Sequence, residues 1–133
     1  MDWVNKYIKI PFVEHGRVEE GCDCWGLIKV IYEKELGVKL PSLLEYKDTK
    51  DVMSISSLVS SEEKLVQWKQ ILTGEEKEFD VVVFRILNVP THVGLVYKKG
   101  SMIHCEKGKG TYLTDYNKEH HWKKRLYGTF RHA

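Results

Sequence analysis

The sequence predicts an α+β domain in which N-terminal helices pack on an antiparallel β-sheet of about five strands. Helical periodicity marks the first half of the chain, whereas short β-branched and aromatic runs separated by turn residues follow Phe79. The turns between these runs are short, and short connections favour antiparallel neighbours. Helices followed by such a meander are typical of the α+β class.

The composition is that of one globular domain over residues 1–133. Of the 133 residues, 42% are hydrophobic and 30% are charged, which permits a sizeable core. No window approaches the roughly 18 consecutive apolar residues of a membrane span. The start, "MDWVNKYIKIPF", lacks the basic head and apolar stretch of a secretory signal. We therefore expect synthesis in the cytoplasm and no membrane partner.

Two helices are predicted near the N-terminus. The first covers residues 2–8 and is ended by Pro11. The second covers residues 24–36, because Asp23 can cap the backbone N–H groups at its start and Gly37 follows its end. One face of this second helix carries apolar residues at helical spacing, namely Leu27, Ile28 and Ile31, with Val30 beside them.

The rest of the chain divides into a helical middle and a strand-rich end. Residues 49–72 predict one or two further helices, with a capping box from Ser60 to Glu63. The turn segments "NVPT", "KKG" and "KGKG" separate the later runs. The predicted strands cover residues 81–86, 92–97, 101–106, 111–115 and 125–130.

The segment "GCDCWG" contains the first candidate for chemistry. Cys24 falls in the first turn of the helix that Asp23 caps, where free N–H groups and the positive end of the helix dipole lower the pKa of a thiol and favour the thiolate. Gly26 leaves room beside that sulfur for a substrate backbone. Cys22 precedes the helix and gains much less, so Cys24 is the better candidate nucleophile. On these residues alone, both thiols could also be inert buried side chains.

Two histidines supply a candidate base and its orienting group. His92 opens one predicted strand, and His104 lies on the next strand across a short turn. Side chains at such positions of an antiparallel pair can be neighbours on one face of the sheet. His92 beside the Cys24 sulfur, with His104 behind it, would form a Cys–His–His relay. Each histidine taken alone could equally be structural.

Other kinds of site are possible for these residues. Zinc is the main alternative, since Cys22, Cys24, His104 and Cys105 offer four ligands. Neighbours in a strand such as His104 and Cys105 point to opposite faces, which argues against one tetrahedral site. Redox chemistry lacks a Cys-x-x-Cys motif, and three cysteines are too few for a disulfide framework. Nucleic-acid binding rests only on the basic segment "HHWKKRLYGTFRH", and we expect none.

The segments "DCWGLI", "HVGLVY" and "MIH" together resemble the NlpC-type cell-wall cysteine peptidases, a papain-like superfamily. The segment "EFDVVVFR" resembles the strand that precedes the histidine in that family. The longer stretch "PFVEHGRVEEGCDCWGLIKVIYEKELGVKLP" resembles the branch found in tail-tip proteins of lambda-like phages. The resemblance covers most of residues 10–106 and preserves the order of cysteine, histidine and third polar residue.

The resemblance implies a papain-like fold and a cysteine endopeptidase. Its reaction would be hydrolysis of amide bonds in peptidoglycan stem peptides, often between D-γ-glutamyl and a diamino acid, without metal or cofactor. Cys24 takes the place of the nucleophile that forms a thioester, His92 that of the general base and His104 that of the orienting residue. The expected oxyanion and substrate pocket comprises Cys24, Asp23, Trp25, Gly26 and Phe12, with the Cys24 N–H as an oxyanion donor.

This sequence departs from the family pattern at three places. Phe12 stands where many relatives have a tyrosine whose hydroxyl can help the oxyanion, and Phe79 stands where many have glycine. Residues 42–78 are long for the simple peptidase pattern. They are predicted to form a helical insertion that serves as a lid, a partner-binding surface or a plain packing helix pair.

The phage branch implies a protein of the virion tail that acts at the host cell wall, with other tail proteins as partners. A structural tail subunit that keeps the fold without activity is the alternative function. Cys105, His120, His121 and Trp122 have no assigned role and are expected to pack or to lie at the surface. Trp122 could alternatively line a sugar-binding groove.

Overall fold

The computed structural model describes residues 3–40, 68–86 and 89–132, and it confirms the predicted α+β class. The N-terminal part contains short helices and a small ribbon, and the later part forms a sheet. In the described part of the chain, no helix is long and apolar enough to cross a membrane.

The N-terminal part contains five short elements. They are a 3-10 helix (Trp3–Tyr7), the paired strands β1 (Arg17–Val18) and β2 (Gly21–Cys22), helix α1 (Cys24–Ile31) and a turn of π-helix (Tyr32–Leu36). The helix predicted at 2–8 is thus a 3-10 helix, and the helix predicted at 24–36 changes to π geometry at Tyr32. Gly37 ends it as predicted, because its φ of 68° is a left-handed conformation that favours glycine.

The later part forms a six-stranded antiparallel sheet. Its strands are β3 (Trp68–Ile71), β4 (Val81–Ile86), β5 (Val89–Lys98), β6 (Ser101–Glu106), β7 (Gly110–Asp115) and β8 (Leu126–His132). Their order across the sheet is β3-β8-β4-β5-β6-β7. The five predicted runs all occur as strands, two of them with the predicted bounds. A short helix that the sequence did not predict, α2 (His120–Lys123), precedes β8.

The prediction of helix up to residue 72 is wrong at its end. Residues 49–67 lie outside the described residues, but Trp68–Ile71 form β3, which pairs with β8 over its whole length. The Trp68 ring packs edge-on against His132 at a centroid distance of 5.0 Å and lies 5.8 Å from Tyr32. These are contacts with residues distant in sequence, and they override the local helical pattern. Of the predicted insertion at 42–78, the described portion therefore begins with a strand of the main sheet.

Apolar side chains cover both faces of the sheet because neighbouring strand residues alternate between them. Helix α1 packs on one face, where seven of its eight residues are buried. The core on that face includes Leu27, Ile28, Ile31, Val81, Val83, Leu95, Ile103 and Phe130. The core on the other face comprises Val82, Phe84, Val96, Met102, Tyr116 and Trp122.

Phe79 occupies a position whose backbone favours glycine. Its φ of 73° lies in the left-handed region, where a Cβ is costly. The conformation is held by the N–H of Phe79, which donates to the Val96 carbonyl at 2.9 Å, and by the Tyr32 hydroxyl, which donates to the Phe79 carbonyl at 2.5 Å. The Phe79 ring also stacks on Trp3 at 4.8 Å. The side chain thus contributes packing that a glycine would not provide.

The segment before β1 is attached to β7 through Thr111. The Lys9 N–H donates to the Thr111 carbonyl at 3.1 Å, and the Thr111 N–H donates to the Ile10 carbonyl at 3.0 Å. The buried Thr111 hydroxyl accepts from the Ile10 N–H at 2.7 Å and donates to the Tyr7 carbonyl at 2.5 Å. These bonds fix the start of the chain along the outer strand of the sheet.

Candidate functional site

Asp23 caps helix α1 and lies at the centre of its N-terminal environment. The carboxylate is fully buried and accepts from the Gly26 N–H at 2.8 Å and the His15 N–H at 3.1 Å. Arg17 of β1 donates to it at 2.8 Å, and this guanidinium is itself mostly buried. A buried carboxylate needs such partners because its desolvation is costly. The cap predicted from sequence is therefore confirmed and is reinforced by an ion pair.

Cys24 is the first residue of α1, where the start of the helix meets β5. Its side chain is only 3% exposed, and the backbone N–H groups of Val93 and Trp25 hydrogen-bond to the sulfur. These bonds and Arg17 favour the thiolate, but burial and the Asp23 charge outweigh them and raise the pKa of Cys24 to about 12. The sequence-based expectation of a lowered thiol pKa is thus wrong, because it considered the helix dipole without the depth of burial.

His92 and His104 lie on neighbouring strands with their rings in contact. His92 Nε2 is 2.9 Å from His104 Nδ1, and the rings meet edge to face. This hydrogen bond occupies Nε2 of His92, so Nδ1 is its remaining ring nitrogen. Burial lowers the pKa of His92 to about 4, although the Glu106 charge acts in the opposite direction. The predicted juxtaposition of the two rings is therefore present, and His92 is neutral near pH 7.

His104 is held on its other side by a residue that the sequence did not point to. Its ring is fully buried, and Nε2 is 2.8 Å from the Thr114 hydroxyl oxygen on β7. Burial, together with His92 and Lys109, lowers the pKa of His104 to about 2. The regular β6–β7 ladder, in which Met102 faces Thr114, brings the Thr114 hydroxyl next to this ring.

Trp122 of α2 covers both histidines. Its ring centroid is 5.1 Å from that of His92, at an interplanar angle of 30°, and 5.1 Å from that of His104. The Phe84 ring packs against the Trp122 ring at a centroid distance of 5.2 Å, and Trp122 is 5% exposed. The suggestion that Trp122 lines a sugar-binding groove is therefore wrong for a residue so deeply packed. Its contribution is to exclude water from the two imidazoles.

The other predicted pocket residues have mainly packing roles. A Cβ on Gly26 would lie 1.9 Å from the Gly16 carbonyl oxygen and 3.1 Å from the Asp23 carboxylate. Gly26 therefore permits the close approach of the Gly16 carbonyl under the cap. Trp25 is 6% exposed, and its side chain belongs to the core. Its contact with the Cys24 sulfur is made by its backbone N–H. Phe12 is half-buried beside Cys22, to which it is bridged through the backbone.

The four candidate zinc ligands are divided between different environments. Cys105 is fully buried in the core beside α1 and donates through its thiol to the Cys22 carbonyl at 3.1 Å. His104 instead contacts His92 and Trp122. Among the described residues, which include all four candidates, no group of three or more metal-ligating side chains is placed to hold an ion. Cys22 and Cys105 contribute to packing.

The basic residues around α2 form a surface rather than part of the histidine cluster. His120 and His121 are exposed, and the Arg125 guanidinium donates to the His121 carbonyl at 2.7 Å. Their expected place at the surface is confirmed.

The chain matches a model of the NlpC/P60 family over residues 9–131. It is 24% identical over 110 residues to the murein DD-endopeptidase MepS/murein LD-carboxypeptidase of Escherichia coli (strain K12), which covers 83% of this chain and 49% of that protein. It is 26% identical over 130 residues to the gamma-DL-glutamyl hydrolase of Bacillus subtilis (strain 168), which covers 96% of this chain and 27% of that protein. The chain thus spans half or less of the length of these relatives.

A solved structure has the same fold. The NlpC/P60 family protein from Bacillus cereus ATCC 10987 superposes with a TM-score of 0.69 at 16% sequence identity, covering 95% of this chain and 36% of that chain. At this identity the likeness shows the fold alone.

We predict that Arg17→Met destabilises the protein by about 3–5 kcal/mol, because it leaves the buried Asp23 carboxylate without its counter-ion. Lys34→Met is the matched control, since Lys34 pairs with Glu19 at 3.0 Å on the surface with both side chains about half exposed. That loss should stay below about 1 kcal/mol. Urea unfolding followed by circular dichroism measures both, and equal small losses would contradict the importance of the Asp23 cap.

Proposed function

The chain belongs to the NlpC/P60 family, and we propose that it is a cysteine peptidase that cleaves peptidoglycan stem peptides between D-γ-glutamyl and a diamino acid. The observation that carries this proposal is the 2.9 Å contact between His92 and His104, beside the Val93 N–H that bonds to the Cys24 sulfur. Nucleophile, base and orienting group are the parts that such a hydrolase needs. The names of the murein endopeptidase and the γ-glutamyl hydrolase support this substrate class.

In the proposed reaction, Nδ1 of His92 accepts the proton of the Cys24 thiol as the sulfur attacks the amide carbon. The carbon–nitrogen bond then breaks, and His92 returns the proton to the leaving amine, which leaves a thioester. A water that gives its proton to His92 hydrolyses the thioester and restores the thiol. The Cys24 N–H lies at the helix start and is the proposed donor to the oxyanion.

The protonation states of the resting site suit this sequence of steps. The raised pKa of Cys24 makes it a neutral thiol near pH 7, so it needs a base at the moment of attack. The lowered pKa of His92 keeps that base neutral and able to accept a proton. His104 on β6 hydrogen-bonds to Nε2 of His92, so the other ring nitrogen of His92, Nδ1, is directed away from β6.

We further propose that the protein is made in the cytoplasm, is carried on a phage tail with other tail proteins and acts at the host cell wall. This proposal is supported by the resemblance of the segment around "GCDCWG" to tail-tip proteins. The alternative of a structural tail subunit without activity shares the location but not the chemistry, so activity and location need separate tests.

Cys24→Ala is expected to reduce release of soluble fragments from purified cell walls by at least about a thousandfold, because the nucleophile is lost. Cys22→Ala should retain most of the activity, since Cys22 has only packing and backbone contacts. Mass spectrometry of the fragments identifies the bond cleaved. Wild-type protein without activity would favour the structural subunit, and equal loss in both variants would contradict Cys24 as the nucleophile.

The activity should persist well below the ordinary histidine pKa. Because burial lowers the pKa of His92 to about 4, the ring stays neutral at pH 5 and protonates only near pH 4, where kcat/KM should begin to fall about tenfold per pH unit. The same lowered pKa means that folding stability decreases as the pH falls from the ordinary histidine value toward 4. Circular dichroism at each pH separates the two effects. A loss of activity centred near pH 6.5 in folded protein would contradict a base whose pKa is lowered by desolvation.

The phage proposal predicts that the protein co-purifies with intact virions. Quantitative mass spectrometry of gradient-purified particles should detect it at a fixed ratio to a tail protein, and immunogold labelling should place it at the tail. Confinement to the cytoplasm of the producing cell, with none in the particles, would contradict this location.

A further inference from the structure

Helix α2 has a buried side and an exposed side. Its single buried residue, Trp122, packs against the two histidines of the candidate site. The other residues of the helix, and Lys124 directly after it, are exposed. An α-helix with its side chains is about 10 Å across. The exposed side of α2 therefore lies next to the candidate site without being part of it.

The exposed side of α2 and its flanks are basic. Residues 117–125 contain one carboxylate, that of Glu119, and four cationic side chains, those of Lys118, Lys123, Lys124 and Arg125, which gives a net charge of +3 with the histidines neutral. Within the part of the chain that the structure describes, only Lys118 of these four forms an ion pair with a carboxylate. The other three cations are thus available to an external anion.

Arg85 of β4 extends this basic region. Its backbone N–H donates to the Arg125 carbonyl at 2.7 Å, so the two residues are neighbours. The exposed Arg85 guanidinium lies over the Tyr127 ring at 5.0 Å. The Arg125 guanidinium donates to the His121 carbonyl at 2.7 Å and lies 3.2 Å from Nδ1 of the same histidine. The basic surface, as we call it, consists of Lys123, Lys124, Arg125 and Arg85.

The two guanidinium groups of the basic surface are ordered before any ligand binds. Each is held by a neighbouring side chain or carbonyl, and such preorganisation reduces the entropy that is lost on binding. Guanidinium and ammonium groups bind carboxylates through charge-assisted hydrogen bonds. The basic surface is therefore suited to a polymer that carries several carboxylates.

The proposed substrate is a polymer of this kind. A glutamyl residue that is linked through its γ-carboxyl group keeps its α-carboxyl group free, and a free carboxyl group is ionised near pH 7. Peptidoglycan built from such stem peptides presents these carboxylates repeatedly. When one stem peptide occupies the site, carboxylates of other stem peptides on the same polymer are held close to the protein.

We propose that the basic surface binds the carboxylates of peptidoglycan stem peptides that neighbour the one being cleaved. The identity of this partner rests on the proposed function, whereas binding itself requires no hydrolysis. A second point of attachment raises the effective concentration of the cleavable bond at the site. The protein should therefore bind the polymer more tightly than it binds a single soluble stem peptide.

The test is cosedimentation of the full chain with purified peptidoglycan from which hydrofluoric acid has removed attached phosphate polymers. All proteins carry Cys24→Ala, so that the polymer stays intact. The double substitution Lys123→Glu with Lys124→Glu should raise Kd by at least about tenfold at low ionic strength, because two attractive charges become repulsive. Lys123→Arg with Lys124→Arg keeps both charges and should keep the binding. Circular dichroism checks that each variant is folded.

A matched control comes from two adjacent lysines elsewhere. Lys98 and Lys99 are exposed at the end of β5 that lies away from His92. Lys98→Glu with Lys99→Glu changes the net charge by the same amount and should alter Kd by less than about twofold, since distant surface charges are screened. Amidation of the peptidoglycan carboxylates should weaken binding of the parent protein as much as the Lys123 and Lys124 reversal does.

The remaining outcomes would overturn the proposal. Equal weakening by both charge reversals, or by neither, would show that the basic surface has no particular part in binding. Binding that survives amidation but is lost when the phosphate polymers are removed would assign the surface to those polymers. Tighter binding of duplex DNA than of peptidoglycan, lost in the same variant, would assign it to nucleic acid.

The proposed peptidase is tested separately with Cys24 restored. Charge-dependent binding of peptidoglycan without hydrolysis of any cell wall would support the basic surface and refute the peptidase. Hydrolysis that is equally fast in the Lys123 and Lys124 reversal, on both intact walls and a soluble stem peptide, would support the peptidase and refute the basic surface.

Discussion

The position of Cys24 depends on a single buried carboxylate. Asp23 joins the first turn of α1, the loop at His15 and the ribbon strand that carries Arg17. Because a buried charge is stable only when its partners are in place, neither the ribbon nor the helix start can take its position independently. The absence of a Cβ at Gly26 lets the Gly16 carbonyl approach and closes this arrangement. Cys24, the proposed nucleophile, is thus positioned by the interactions of its neighbour Asp23.

Burial has the same effect on each reactive group in the site. It raises the pKa of Cys24 and lowers the pKa values of His92 and His104, so that each favours its neutral form. The two neutral rings are held together by a hydrogen bond rather than by opposite charges. Trp122 maintains this condition by covering the imidazoles. The covering tryptophan and the hydrogen bond between the imidazoles are therefore two parts of one arrangement.

Local signals in the sequence were sufficient for much of the fold and for the contact between the histidines. The strands β4 and β6 have their predicted bounds, and turns at 99–100 and 107–109 delimit β6. The predicted turn "NVPT" is wrong from Val89 onward, because β5 begins there. The missed strand β3 owes its conformation to β8 and to the packing of Trp68, which are contacts between distant segments. Thr114 was missed because finding it requires the register of the β6–β7 hairpin, although the short turn "KGKG" was a usable signal. The pKa of Cys24 was misjudged because sequence does not give depth of burial.

The attachment of the N-terminal segment to β7 has a consequence for association between molecules. As the last strand in the sheet order, β7 would otherwise present unpaired backbone groups of the kind to which another chain can add a strand. The backbone of Lys9 and Ile10 pairs with Thr111, near the start of this edge strand. Local unfolding of that short segment would therefore expose the backbone groups of Thr111 to pairing with another chain while the core stayed closed.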